Sequence, residues 1–323
     1  MFCFSKIHER LSTVWIQPFL WKFIYFICYH LFFTAYMANV INSYQWLLDL
    51  AMHISFLTIW MLNVSALTKL LFTRPATIPS AYHVSSDILE FLPKNDNHVD
   101  DCDEEETNGF LGSGDSDDEK KWKLFYRKLW NVVNELKLNI RTVTINCKNQ
   151  KFILPKFCLH CKILKPKRTY HCSRCKKCVR RMCHHCFALG KCVHLANHKF
   201  FLLFLVYVVL MCWFSFTTTV NVLYWAVIEY QQTSKPKSTL FIGPLTFSLM
   251  GCAQSLIFPC VVIYFQWDFW GDLLRNQTKV EDMENEPKEN FDTGSRLENF
   301  ETIFGKQRTL WFLPLQSTDL EIK

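Results

Sequence analysis

The chain has 323 residues, of which 50% are hydrophobic and 16% aromatic, with 29 Phe, 15 Cys and a formal net charge of +7. Its mean hydropathy of only +0.04 comes from apolar and charged stretches that sit in separate blocks, which argues against two ordinary soluble domains. Eight of the cysteines fall between Cys158 and Cys192 beside four histidines, a density that excludes a secreted disulfide framework and points to metal.

Crossing a hydrocarbon core of roughly 30 Å takes about 20 apolar residues. Four stretches meet that requirement: 19–41, with Lys22 near its start; 46–67, with Asp49 near its start; and the uncharged runs 200–228 and 240–265. The expected fold is an α-helical multi-pass membrane protein, with four transmembrane helices paired as two hairpins. Residues 1–68 hold the N-terminus and the first hairpin, and 200–266 the second. The first stretch is too long for a signal-peptide core and lacks a small-x-small cleavage pattern, so it reads as a retained anchor. Lys6, Arg10, Lys69, Arg74, Lys191 and Lys199 flank the spans, and only Lys235 and Lys237 occupy the loop between spans three and four. This asymmetry puts both termini and the central loop on the cytosolic side, a reducing setting that suits thiolate chemistry.

Residues 69–157 form a cytosolic linker. Within it 95–119, with Asp100-Asp-Cys-Asp-Glu-Glu-Glu106 and Asp115-Ser-Asp-Asp-Glu119, cannot bury a core and reads as a disordered acidic insert. From Lys121 to Lys137 the spacing of Trp122, Phe125, Leu129, Trp130, Val133 and Leu136 predicts an amphipathic helix, on the membrane or on the cysteine module.

The module, 158–199, opens with the pairs Cys158-x2-Cys161 and Cys172-x2-Cys175. Tetrahedral zinc takes four Cys or His ligands, and each such pair supplies two from one turn, so two sites are implied. His171, Cys178, His185 and Cys192 are the natural completions if the pairs interleave; spacing leaves open which completes which. A module with so little apolar core would draw its folding energy from metal, about 10 to 16 kcal/mol per zinc in small modules. His160, Cys183, His184 and Cys186 then remain. Cys186 is a nucleophile candidate, His184 could take its proton, and the ten Lys/Arg of 158–192 are expected to increase its thiolate fraction. Those cations suit anionic lipid headgroups or an anionic cofactor, and charge alone does not choose between them. Nucleic acid is not expected, because spans on both sides hold the module at a bilayer and it offers no aromatic stacking platform.

From Phe157 to Phe200 the string resembles the DHHC family of protein S-acyltransferases, whose module reads Cys-x2-Cys-x9-His-Cys-x2-Cys-x2-Cys-x4-Asp-His-His-Cys-x5-Cys. Every cysteine and histidine of that form is present, without a gap. In the tail, 267–323, Thr278-Lys-Val-Glu281 resembles the family's Thr-Thr-x-Glu motif, and Asn299 to Gly305 with Trp311 and Pro314 resembles its C-terminal Asn and Phe-Gly segment. The resemblance implies a cytosolic two-zinc module between spans two and three. Its two structural Zn2+ would be held by Cys158, Cys161, His171 and Cys178, and by Cys172, Cys175, His185 and Cys192. It also implies catalysis by Cys186 and His184: a long-chain acyl group passes from palmitoyl-CoA to Cys186, then to cysteines of membrane-associated proteins that face the cytosol. The family places such an enzyme in endoplasmic reticulum or Golgi membranes. Its motif Asp is Cys183 here, which is expected to slow the reaction; a weakened or inactive zinc-containing scaffold is the alternative. Phe187-Ala188, Gly190-Lys191 and Arg74-Pro75-Ala76 also replace the family's Pro-Trp, Asn-Asn and Asp-Pro-Gly.

Overall fold

The computed structural model describes residues 46–92, 117–147, 150–233, 238–283 and 290–316. The expected first span, 19–41, lies outside them, as does the acidic insert up to residue 116. Two described helices are long and apolar enough to cross a membrane, over Leu50–Phe72 and Leu195–Asn221.

Helix α1 runs Trp46–Phe72, a few residues beyond the expected stretch, and is followed by a short helix α2, Ser86–Leu89. Helix α3, Asp117–Glu135, takes in the last three residues of the acidic insert, so the insert ends earlier than the charge pattern suggested. The choice left open for its apolar stripe is resolved by packing. Phe125 and Leu129 are fully buried and Val133 nearly so, against Ile140 and Leu164. The Phe125 ring meets Phe157 edge-on at 5.3 Å. The helix therefore seats on the cysteine module.

Between Thr142 and His194 the chain folds as four two-stranded antiparallel units with no crossovers: β1 Thr142–Cys147 with β2 Gln150–Pro155, β3 Phe157–Cys158 with β4 Ile163–Leu164, β5 Thr169–Cys172 with β6 Lys177–Arg180, and β7 Met182–Cys186 with β8 Lys191–His194. Such short hairpins are marginal alone and need an additional tether.

Helix α4, Leu195–Thr233, follows β8 without a break and has 39 residues, about 58 Å of helix. It starts five residues before the expected span because Asn197 caps it. The Asn197 side chain accepts from His194 N at 2.8 Å and donates to Cys192 O at 3.1 Å and to Leu70 O at 3.4 Å. One buried amide thus ties β8, α1 and α4 together. Deeper along the pair, buried Asn63 donates to Phe204 O at 3.3 Å, the kind of interhelical bond that holds apolar helices where water is absent. Helix α5, Ser238–Leu274, packs along α4. Two short helices, α6 Lys279–Met283 and α7 Arg296–Phe304, return to the module. The main core joins Ala66 and Leu70 of α1, Val193, Phe200 to Phe204 of α4, Leu273 of α5, and Ile303 and Phe304 of α7.

Phe125→Ala should remove about 3 to 5 kcal/mol, as for fully buried aromatic truncations, and lower the thermal midpoint of the detergent-solubilised chain by several degrees. An unchanged midpoint would contradict the docking of α3 on the module.

Candidate metal centres and reactive thiol

In each of two groups the ligand atoms converge to within 4.8 Å of one another: Cys158, Cys161, His171 and Cys178, then Cys172, Cys175, His185 and Cys192. The interleaving is therefore as expected. His171 Nδ1 lies 3.4 Å from the Cys158 and Cys161 sulfurs and 3.8 Å from Cys178. His185 Nδ1 lies 3.4 Å from Cys172 and Cys175 and 3.6 Å from Cys192. A tetrahedron with zinc–sulfur bonds of about 2.3 Å and zinc–nitrogen bonds of about 2.05 Å has edges of roughly 3.5 to 3.8 Å, so the two clusters fit two Zn2+.

Proton sharing points the same way. Cys178 and Cys192 donate to Cys158 and Cys172, holding those two thiols down to about 4, while Cys178 and Cys192 are driven upward by the sulfur that each faces. A crowded set of sulfurs in which some must keep protons is one that a cation would relieve.

The two sets are related by a fixed offset. Adding 14 to 158, 161, 171 and 178 gives 172, 175, 185 and 192. The module is therefore an internal repeat of 14 residues in its cysteines and histidines. The turns repeat as well. The residue after each Cys-x2-Cys pair has a left-handed backbone, Lys162 at φ 55° and Lys176 at φ 51°, a conformation costing a non-glycine residue about 1 to 2 kcal/mol. A second step of 14 reaches Cys186 and then Gly190, at φ 63°. Cys186 thus stands where a third pair would begin, with Leu189 in place of the second cysteine. Leu189 N donates to Cys186 O at 3.2 Å, closing the turn between β7 and β8.

Strand β7 brings Cys183, His184, His185 and Cys186 together. Side chains alternate along a strand, so His184 and Cys186 share one face and His185 points to the other, toward its cluster. The register slips between Met182 and His184, leaving Cys183 as a bulge, a device that re-aims side chains beside reactive centres. The His184 ring stacks on Phe269 of α5 at 4.9 Å and meets Phe201 of α4 at 5.2 Å, so the two long helices grip it. Burial pushes it down to about 4, aided by the neighbouring His185, and it is a neutral imidazole at neutral pH. Its Nδ1 lies 3.4 Å from the Cys183 sulfur. Cys183 is 1% exposed, and burial raises its thiol to about 12 despite a backbone N–H from Lys279. A neutral thiol therefore sits beside the imidazole.

The Cys186 thiol is also raised by burial, partly offset by the N–H groups of Leu189 and Ala188. Burial thus works against the gain in thiolate expected from the ten nearby cations. Six of those cations, Lys162, Lys167, Arg174, Lys176, Lys177 and Lys191, are exposed. His160, left over in the sequence, stacks on His171 at 5.0 Å and so packs beside the first cluster.

The tail clamps the module. Thr278 and Glu281 form a capping box on α6: Thr278 N donates to Glu281 Oε2 at 2.9 Å and Glu281 N to Thr278 Oγ1 at 3.3 Å. The same carboxylate accepts two bonds from Arg168, at 2.7 and 2.8 Å. Arg168 and Arg181 both donate to Asn276 Oδ1, at 3.1 and 2.5 Å, and Arg181 also reaches Thr302. Burial lowers Arg181 to about 9, and the nearby Arg168 adds to the effect. Asn299 donates to Leu274 O at 2.8 Å and to Asp292 at 2.6 Å, fixing α7 to the end of α5. The sequence had singled out Thr278, Glu281 and Asn299. It gave no signal for Arg168 and Arg181, whose partners lie about a hundred residues away.

Residues 151–286 match the family model described as DHHC palmitoyltransferase. Palmitoyltransferase ZDHHC15A of Danio rerio is 32% identical over 170 residues, covering 51% of this chain and 49% of that protein. Palmitoyltransferase ZDHHC15 of Homo sapiens is 31% identical, covering 50% and 48%, and the probable protein S-acyltransferase 12 of Arabidopsis thaliana is 36% identical, covering 50% and 55%. The chain spans about half the length of the curated relatives it matches. The matched stretch is thus similar to the DHHC family, with Cys-His-His-Cys at 183–186 where that motif has Asp-His-His-Cys.

Arg168→Met would strand the Glu281 carboxylate, 9% exposed, and should cost about 3 to 5 kcal/mol, as for breaking one half of a buried pair. Adding Glu281→Met should restore most of the loss in a thermal-unfolding cycle. Simply additive losses would contradict the coupling.

Proposed function

We propose that this chain is a protein S-palmitoyltransferase that carries a long-chain acyl group on Cys186 and passes it to cysteines of membrane-associated proteins. The observation that carries the reading is the position of Cys186. It is left outside both metal clusters, is only partly buried, and lies on the same strand face as a neutral imidazole. Cys183, the other spare module thiol, is too enclosed to meet a substrate.

In this reading His184 Nε2 takes the Cys186 proton, and the sulfur attacks the thioester carbonyl of the acyl-CoA. The carbon–sulfur bond to coenzyme A breaks, His184 returns the proton to the departing thiolate, and Cys186 is left esterified. A substrate thiol then attacks that ester, giving its proton to His184, and Cys186 is released as a thiol. The apolar faces of α1, α4 and α5 hold the acyl chain, each buried methylene contributing about 0.8 kcal/mol. Cys158, Cys161, His171 and Cys178 hold one zinc, and Cys172, Cys175, His185 and Cys192 the other. When bound, the ions supply folding energy to the hairpins.

The proposed topology completes the fold. Spans at 19–41 and 240–265 join the two apolar helices described, and the module and both termini face the cytosol. Endoplasmic reticulum or Golgi membranes are the proposed location.

The buried neutral Cys183 favours a second reading, a scaffold that keeps the fold but acylates slowly or not at all. An aspartate there would stabilise the imidazolium as the proton arrives; a thiol cannot. Purified chain given an alkynyl palmitoyl-CoA analogue should acquire a hydroxylamine-sensitive label. Cys186→Ser should abolish it, and Cys183→Asp should raise the initial labelling rate by roughly 10-fold or more. Label persisting in Cys186→Ser but absent in Cys183→Ser would overturn the site. Absence of label in every variant would leave the scaffold.

A further inference from the structure

The loop after α7 is held against α4 in an unusual way. Lys199, only 1% exposed, donates its ammonium to Leu310 O at 2.7 Å and Leu315 O at 2.6 Å, closing residues 310–315 into a loop around it. Tyr207 donates its hydroxyl to Phe312 O. Lys199 and Tyr207 are eight residues apart on α4, about 12 Å along its axis, so the loop extends along the helix. Both lie within the apolar stretch Leu195–Asn221. That stretch has 27 residues where about 20 suffice, which puts Lys199 near the hydrocarbon boundary and Tyr207 well inside it.

Irregular backbone survives at that depth only if its polar groups are satisfied within the protein, and here they are to an unusual degree. Lys199 serves the carbonyls of Leu310 and Leu315, and Tyr207 that of Phe312. Leu313 N donates to Leu310 O at 3.1 Å and Leu315 N to Leu313 O at 2.7 Å, while Pro314 has no N–H to satisfy. The side chains divide accordingly. Trp311 turns inward, donating to Gly305 O at 2.8 Å and meeting the Phe300 ring at 4.7 Å. Phe312, 73% exposed, faces outward with Leu313 and Leu315. Exposed Lys306 and Arg308 precede the loop, the cationic flank expected at the headgroups. On α5, the exposed aromatics Tyr264, Phe265 and Trp267 give way at once to Asp268, which marks the same boundary on a second helix.

We infer that residues 310–315 form a wedge inserted into the leaflet on the module's side, with Phe312, Leu313 and Leu315 in contact with phospholipid acyl chains. The wedge anchors the tail, and through α7 the Arg181 contacts, at the membrane surface from which a lipid substrate arrives. It rests on α4 spanning the bilayer and is independent of the chemistry at Cys186.

The test is photo-crosslinking of the full chain in phosphatidylcholine vesicles, with p-benzoylphenylalanine placed singly at Phe312, at Trp213 in the middle of α4, or at Lys306. Mass spectrometry should find phospholipid adducts at 312 and 213, with at least about five-fold fewer at 306, as a loop reaching past the headgroups requires. Lipid adducts at 213 with none at 312 would overturn the wedge alone, as would adducts at 312 to a second copy of the chain or to another protein. Failure at both positions would remove the membrane placement of α4 and the wedge with it.

Discussion

Four side chains forced to within 4.8 Å of one another, and then four more, are the constraint on which the rest of the molecule depends. The strands of the module are two to five residues long, and the turns of the two metal-ligating pairs place Lys162 and Lys176 in a left-handed conformation. Hairpins this short, with that backbone cost, would not persist on propensity alone. Metal–ligand bonding would offset the cost by joining residues from successive hairpins, so that each cluster would staple one hairpin to the next. Because His185 lies on β7 between His184 and Cys186, closing the second cluster would also fix the opposite face of that strand, where those two residues stand.

The 14-residue step gives the module an internal logic that composition does not show. The first two occurrences are Cys-x2-Cys pairs, and the third is Cys186 with Leu189 and Gly190. Cys186 occupies the position that the first cysteine of a pair occupies in its two predecessors, on a turn of the same handedness, with Leu189 where the second cysteine would be. Its sulfur is left free for chemistry while its backbone surroundings, including the N–H groups of Ala188 and Leu189, retain the form of a metal-binding turn. Around this core the chain contributes two kinds of grip. Apolar helices hold His184 between Phe201 and Phe269, and the tail holds the module through Glu281, Asn276 and Thr302.

That there are two sites could be read from spacing because Cys-x2-Cys pairs carry their own signature, while the division of the remaining ligands came only from the family resemblance; the apolar helices could be read because a bilayer demands length. The helix from Asp117 was visible in its period but not in its partner, since an apolar stripe says nothing about whether it faces lipid or protein. The repeat was hidden because only ligands and turn residues recur, while the residues between them do not. Arg168 and Arg181 look like two more cations in a basic stretch, and only the return of the tail turns them inward. For a related reason a count of cations says little about Cys186: it ignores the water that a thiol loses on burial.

The claim that the chelated hairpins hold Cys186 in its reactive position is tested most directly by removing zinc in steps. The membrane-embedded chain would be titrated with a chelator while bound zinc and the thioester formed at Cys186 from acyl-CoA are measured on the same samples. The account predicts two zinc ions per chain at the start, and acylation that falls as they leave and returns when zinc is restored. Undiminished acylation of Cys186 in zinc-free protein would contradict it.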